Sequence, residues 1–176
     1  MKTITVDLTA SGIAKAQQDL MKYQSYIRVR CNAFRIALAQ KLREIASDLY
    51  ASAWYNDFVN GHRVQGEALP AMFMSIDNRE DTTALVVNNE VAVFIEFGAG
   101  VYHNGEAFHS PHPWGERLGF TIGSYPENRV PSKGVNPSWS SPDGVTRGTE
   151  AQMVLYKAVR MLEPHIEDIA REVFKE

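Results

Sequence analysis

A single cysteine, Cys31, excludes an intramolecular disulfide and any thiolate cluster for a metal. Set among apolar neighbours on a predicted helix, it reads as a small buried hydrophobe rather than a nucleophile. No run approaches the ~18 uninterrupted apolar residues of a membrane span. The opening MKTITVDLTASG has no apolar signal core, so export by a signal peptide is not expected. Basic runs and basic–aromatic stripes are missing as well, which argues against dedicated nucleic-acid recognition. So are a Gly-Lys-Ser/Thr phosphate loop and a Gly-x-Ser-x-Gly nucleophile elbow. Gly98-Ala99-Gly100 lacks the third glycine and the following helix of a dinucleotide fingerprint.

What is present is ordinary for a folded chain. With 176 residues, 44 % apolar and 22 % charged, a single domain (1–176) is expected, burying ~70 % of its unfolded surface. Net charge is only −3, but it is unevenly spread: residues 1–60 carry eight Lys/Arg against five Asp/Glu, and residues 61–147 carry six against ten. Opposite charges on separable sections would attract one another between copies, although ordinary solvated faces produce the same pattern.

The stretch Val91–Trp114 combines the most apolar entry with the most permissive exit. Val91-Ala92-Val93-Phe94-Ile95 runs into Glu96-Phe97 and breaks at Gly98-Ala99-Gly100, where positive φ or close backbone approach is allowed. Glu96 stands alone among apolar residues. It must be hydrogen-bonded, paired or turned outward, because an unpaired buried charge costs too much. Periodicity leaves this stretch open between a third strand and a short helix.

In chain order, Thr3–Leu8 alternates and is β-branched, so it predicts a short strand. Thr9 or Ser11 caps a helix that Gly12 weakens. Residues 11–54 read as helix, in one piece or in two meeting near Tyr23–Tyr26. Ile27, Cys31, Phe34, Leu38, Leu42, Ile45 and Leu49 fall within an ~80° stripe, bordered by Arg28, Arg35 and Arg43 on one side. Such a stripe fits a sheet or a neighbouring subunit. Trp54, Tyr55 and Phe58 end this helix before Asn60-Gly61, and 62–70 reads as loop. Residues 71–76 and 82–87 around a polar turn predict a β-hairpin.

From Gly98 to Gly148 glycine, proline, serine and histidine dominate, with isolated aromatics including Tyr102, Trp114 and Trp139. A loop region this long is functional or ordered by a partner. Residues 118–123 supply one short strand inside it. Thr149 and Gln152 form a capping box. Leu155, Val159, Leu162, Ile166, Ile169 and Val173 then give a second amphipathic helix, which Pro164 kinks or restarts. The sections are thus a helical 1–60, a sheet-forming 64–97, a loop region 98–148 and a C-terminal helix 149–176.

His103, His109 and His112 lie close in sequence to Glu106 and Glu116. The best enzyme-class alternative is a metal-dependent hydrolase holding its ion on those histidines, with Glu106 or Glu116 as base. Fixed geometry for a third and fourth ligand is not evident, and prolines flank His112. No catalytic residue and no cofactor is assigned.

The residues Phe94-Ile95-Glu96-Phe97-Gly98-Ala99-Gly100-Val101 resemble the (Y/F)-I-E-F-G-(T/A)-G signature of tail-component proteins of long-tailed phages, the HK-ninety-seven gp-ten-like family. The similarity continues in order through His112-Pro113, Gly123-Ser124-Tyr125, Trp139, Thr146-Arg147-Gly148 and the closing Ile169–Phe174. One departure is plain: Gly148-Thr149-Glu150-Ala151 stands where Gly-x-Pro-Ala is usual. The resemblance implies an α+β fold, a small antiparallel sheet packed by a long N-terminal helix and a C-terminal helix, with a long extended loop region. It also implies a structural virion protein without catalytic residues, assembling as a homo-oligomeric ring at the neck or tail end. Its partners would be adjoining head-completion or connector proteins and tail proteins, with no membrane. Localisation would be the virion, after assembly in the host cytoplasm. DNA passes through a neck, so non-specific lining through Arg28, Arg35 and Arg43 stays open. Candidate interface residues are these three arginines with Phe97, Gly98, Gly100, Tyr102, Trp114 and Trp139.

Overall fold

In the computed structural model the described residues are 7–56, 63–65, 73–100, 112–115, 117–118, 139–141, 144–146, 148–149 and 151–175. The fold is α+β. Its frame is α1 (Ala10–Ala51), one continuous helix of 42 residues and about 63 Å. The break near Tyr23–Tyr26 does not occur; those two rings stack at 6.4 Å along one helix face. Thr9 is the N-cap, its Oγ1 accepting from the Gly12 amide at 3.2 Å. Gly12 has a steric reason to be glycine, since a Cβ there would clash with the Asp7 carbonyl oxygen. The strand expected over Thr3–Leu8 lies largely outside the described residues, and Asp7 and Leu8 are not in a strand.

The helix ends earlier than the aromatic cluster suggested. Ser52 closes α1 with its amide and hydroxyl on the Leu49 carbonyl, and Trp54–Asn56 is a short strand, β1. It pairs antiparallel with β2 (Arg63–Gln65), inside the segment expected as loop.

The predicted hairpin is present as β3 (Phe73–Asn78) and β4 (Thr83–Asn88), joined by a four-residue turn, 79–82, in which the Arg79 amide donates to the Thr82 carbonyl. Register places Met74 opposite Val87 and Ile76 opposite Leu85 on the inner face, and Ser75 opposite Val86 on the outer. Arg35 of α1 reaches the turn, donating to the Glu80 carbonyl at 2.7 Å.

The stretch left open between strand and helix is helix α2 (Glu90–Phe97), with Asn89 as N-cap through its side chain. Gly98 stops it at φ 75°, ψ 171°, after which β5 (Ala99–Gly100) pairs with β8 (Gly148–Thr149). Between them lies the hairpin β6 (Trp139–Ser141) and β7 (Gly144–Thr146). The strand expected over 118–123 lies, apart from Leu118, outside the described residues.

The closing helix is α3 (Val154–Leu162), a 3-10 turn (Glu163–His165) and α4 (Ile166–Val173), so Pro164 restarts the helix as expected. The capping box is not used. Thr149 is committed to pairing with Ala99, and the helix begins five residues later after Met153, held left-handed at φ 55°.

The core forms where the C-terminal half of α1 meets α3, α2 and the hairpin. Tyr50, Ala53, Ala92, Ile95 and Val154 form one cluster; Ile45, Ala46 and Ala158 form its neighbour, sharing Leu49, Met74 and Leu155. Burial on this scale, roughly 1.5–3 kcal/mol for each large side chain, holds the elements together. Further along α1, Arg30 donates to the Val173 carbonyl at 2.6 Å and Phe34 packs on Phe174. Cys31, expected buried, is exposed; the end of the closing helix meets α1 through Arg30 and Phe34, on one side of it.

Gly98 occupies backbone space that other residues enter only under strain, and it is buried. Gly98→Ala is expected to cost about 1–3 kcal/mol in urea unfolding. Gly100→Ala, in the adjoining strand, is the control for a generic glycine effect; an equal loss in both variants would contradict the assignment to Gly98.

Candidate functional site

Glu96 is the focus of the described structure. It sits in the last turn of α2, its side chain 4 % exposed, and so belongs to the class of buried charges that need partners. It has three. Oε2 accepts from the Leu155 amide at 2.6 Å, and Oε1 accepts from the Tyr156 amide at 2.9 Å and from His112 Nε2 at 2.8 Å.

Leu155 and Tyr156 are the second and third residues of α3, whose first-turn amides have no partner within the helix. Met153, at the cap position, supplies no side-chain hydrogen bond. Glu96 therefore caps α3 from another helix, and its charge meets the positive end of the α3 dipole. The exchange is reciprocal: the Gln152 amide donates to the Ile95 carbonyl at 2.8 Å, and the Met153 amide to the Glu96 carbonyl at 3.3 Å. Two helix ends thus satisfy one another's orphan groups.

His112 is held from both sides. The Trp114 amide donates to Nδ1 at 3.0 Å, so Nε2 carries the proton and donates to Glu96. Phe97, Trp114 and Tyr156 surround the imidazole at centroid distances of 4.5, 5.9 and 5.7 Å, and Trp114 meets Tyr156 edge-on at 5.0 Å. Gln152 links this cluster to β1: the Trp54 amide donates to Gln152 Oε1 at 3.2 Å, and Gln152 Nε2 donates to the Trp54 carbonyl.

Tyr50 completes the cluster. It is buried, and its hydroxyl makes no hydrogen bond among the described residues. Burial, and secondarily the Glu96 charge, raise its pKa well above the ordinary tyrosine value.

A carboxylate on an imidazole has the parts of an acid–base pair, but here both imidazole nitrogens and both carboxylate oxygens are occupied, and the two side chains are 2 % and 4 % exposed. The arrangement positions chain segments. It presents no reacting atom to a substrate.

Of the residues singled out in the sequence, Phe97, Gly98 and Trp114 come together around Glu96, and Gly100 adjoins them in β5. Trp139 starts β6. Tyr102, His103, His109, Glu106 and Glu116 lie outside the described residues. His112, one of the three loop histidines, has both ring nitrogens hydrogen-bonded within the chain. Among the described residues no group of three or more His, Cys, Asp or Glu is placed to hold a metal ion. Arg28 and Arg43 are exposed, whereas Arg35 is half-buried and bonded to the hairpin turn. Tyr50 and Tyr156 carry no signal in the sequence, and Gln152 is marked there only as part of a capping box; the isolated Glu96 alone shows that partners must exist.

Replacing Glu96 by alanine leaves three donors unpaired and is expected to cost about 3–5 kcal/mol in urea or thermal unfolding. Tyr50→Phe removes an unpaired buried hydroxyl and is expected to be neutral or stabilising by up to about 1 kcal/mol near pH 7. The Tyr50 phenol stays protonated in the folded state at a pH where the unfolded chain ionises it. Its contribution is therefore complete below the ordinary value of 10 and is lost as pH rises beyond it, by up to about 1.4 kcal/mol per unit. Denaturant titrations between pH 9 and 11 should show a steeper alkaline decline for the wild type than for Tyr50→Phe; equal slopes would contradict this.

No family model, curated protein or solved structure matches the chain.

Proposed function

We propose that the chain is a structural virion protein of a tailed phage or prophage, forming an oligomeric ring at the head–tail junction, in the neck or at tail completion. The reading starts from the ordered resemblance to the HK-ninety-seven gp-ten-like family, which runs from Phe94 to the closing helix.

One observation carries it: the acid in the middle of that signature is buried and engaged in capping α3 and fixing His112. The most distinctive motif of the chain is thereby architectural, which supports the structural reading. Gly98 lets the chain leave α2 at the same point. The metal-dependent hydrolase loses the third histidine of its loop to the Glu96 cluster. Among the described residues no helix is long and apolar enough to cross a membrane.

In this role the chain would work beside head-completion or connector proteins and tail proteins, localised to the virion after assembly in the host cytoplasm. Arg28 and Arg43 remain available for non-specific contact with passing DNA, whereas Arg35 is engaged by the hairpin turn.

Deletion of the gene from its phage or prophage tests the reading by electron microscopy of induced lysates. Heads and tails that fail to join, or tails with faulty ends, rescued by a supplied copy, are the expected result. Joined, infectious particles at the parental titre would contradict it.

A further inference from the structure

The apolar stripe of α1 does not stop where its intramolecular partners stop. Ile13, Leu20 and Tyr23 continue the line of Ile27, Phe34, Leu38, Leu42, Ile45 and Leu49 at spacings of three, four and seven, within a sector of about 100°. In the C-terminal half this stripe is covered by α3 and the hairpin's inner face. In the N-terminal half Ile13, Leu20 and Tyr23 are 52, 55 and 46 % exposed. A helix of this length past its last contact gains little from propensity alone, and an amphipathic face is normally held by packing. A shallow hollow lies on this half, lined among the described residues by Leu20, Tyr23, Ile27 and Arg28.

A second bare surface lies elsewhere on the chain. The outer face of β3–β4 presents Phe73, 70 % exposed, together with Val86 and Ala84. Cross-strand register groups them: Phe73 sits opposite Asn88, Ser75 opposite Val86, and Asp77 opposite Ala84. The hairpin's inner face already receives α1, so the outer face offers the same kind of helix-binding surface with no helix of the described residues on it.

Charge distinguishes the two surfaces. The uncovered half of α1 carries Lys15, Lys22 and Arg28 against a single acid, Asp19. The hairpin carries Asp77, Glu80 and Asp81 against a single base, Arg79. Two copies of either surface would repel; one of each attracts. From this complementarity we infer that the N-terminal half of α1 docks on the outer face of the β3–β4 hairpin of a second copy, with Phe73 seated against the Leu20–Tyr23–Ile27 hollow. The contact is heterologous, joining different surfaces, so it leaves each copy with one surface of each kind free until a ring closes. This deepens the ring reading above and rests on it for the choice of a second copy as occupant.

The test uses full-length protein in sedimentation velocity over a concentration series. Leu20→Glu spoils the helix surface and Phe73→Glu the hairpin surface, both at exposed positions; Ile13→Glu and Val86→Glu serve as second variants should either misfold by circular dichroism. Wild type is expected to form a species larger than a dimer. Each variant alone should need at least roughly tenfold more protein to associate. An equimolar mixture of the two should give a discrete heterodimer and nothing larger, because one intact interface remains. Variants that assemble like wild type, a mixture that stays monomeric, or a wild type monomeric throughout would each overturn the inference. Particle morphology in the deletion phage is read independently of these outcomes, so a failed docking contact and a failed junction role are told apart.

Discussion

A buried carboxylate must be compensated by hydrogen bonds, and the way Glu96 meets that demand organises the rest of this structure. Its three donors come from two separate parts of the chain, α3 and the His112 segment. Neither helix end could be buried as it is without the other. The amides of α3 would lack acceptors, and the carbonyls closing α2 would lack the Gln152 and Met153 donors. The charge-assisted bonds, individually worth about 1.5–3 kcal/mol, fix the relative placement of segments 59 residues apart.

The same junction governs the excursion between Val101 and Arg147. That segment leaves through β5 and returns through β8, which are paired strands, so both of its ends are fixed at one place. His112 is anchored to the core beside them, with Trp114 packed against Tyr156. Both ends of the segment are thereby ordered within the chain itself. The uncovered half of α1 lies at the opposite end of the long helix from this junction. The junction and the exposed apolar half of α1 thus lie on separate parts of the frame.

Much of this was legible from the residues. The α1 stripe, the hairpin and the restart at Pro164 follow directly from apolar spacing and from proline's missing amide. Glu96 was marked by its isolation alone. What escaped did so for identifiable reasons. Val91–Phe97 is apolar at nearly every position, and a short run of that kind carries no period to separate helix from strand. Thr149 and Gln152 have the spacing of a local cap, but a carboxylate from another helix takes that role, and sequence spacing cannot report an acceptor contributed from so far along the chain. Gln152 is used instead to bridge to Trp54. Cys31 sits within the apolar stripe of α1 yet is exposed, since the closing helix meets α1 at Arg30 and Phe34 and periodicity does not report which part of a stripe a partner covers.

Native-state hydrogen exchange at the Leu155 and Tyr156 amides tests the central claim most directly, since these are first-turn amides that a helix of this kind leaves open unless something caps it. If Glu96 is the cap, both should exchange only through global unfolding, and in Glu96→Gln both should drop to the faster local opening of a frayed helix start. Rapid exchange at these two amides in the wild type, or protection unchanged in Glu96→Gln, would contradict the account.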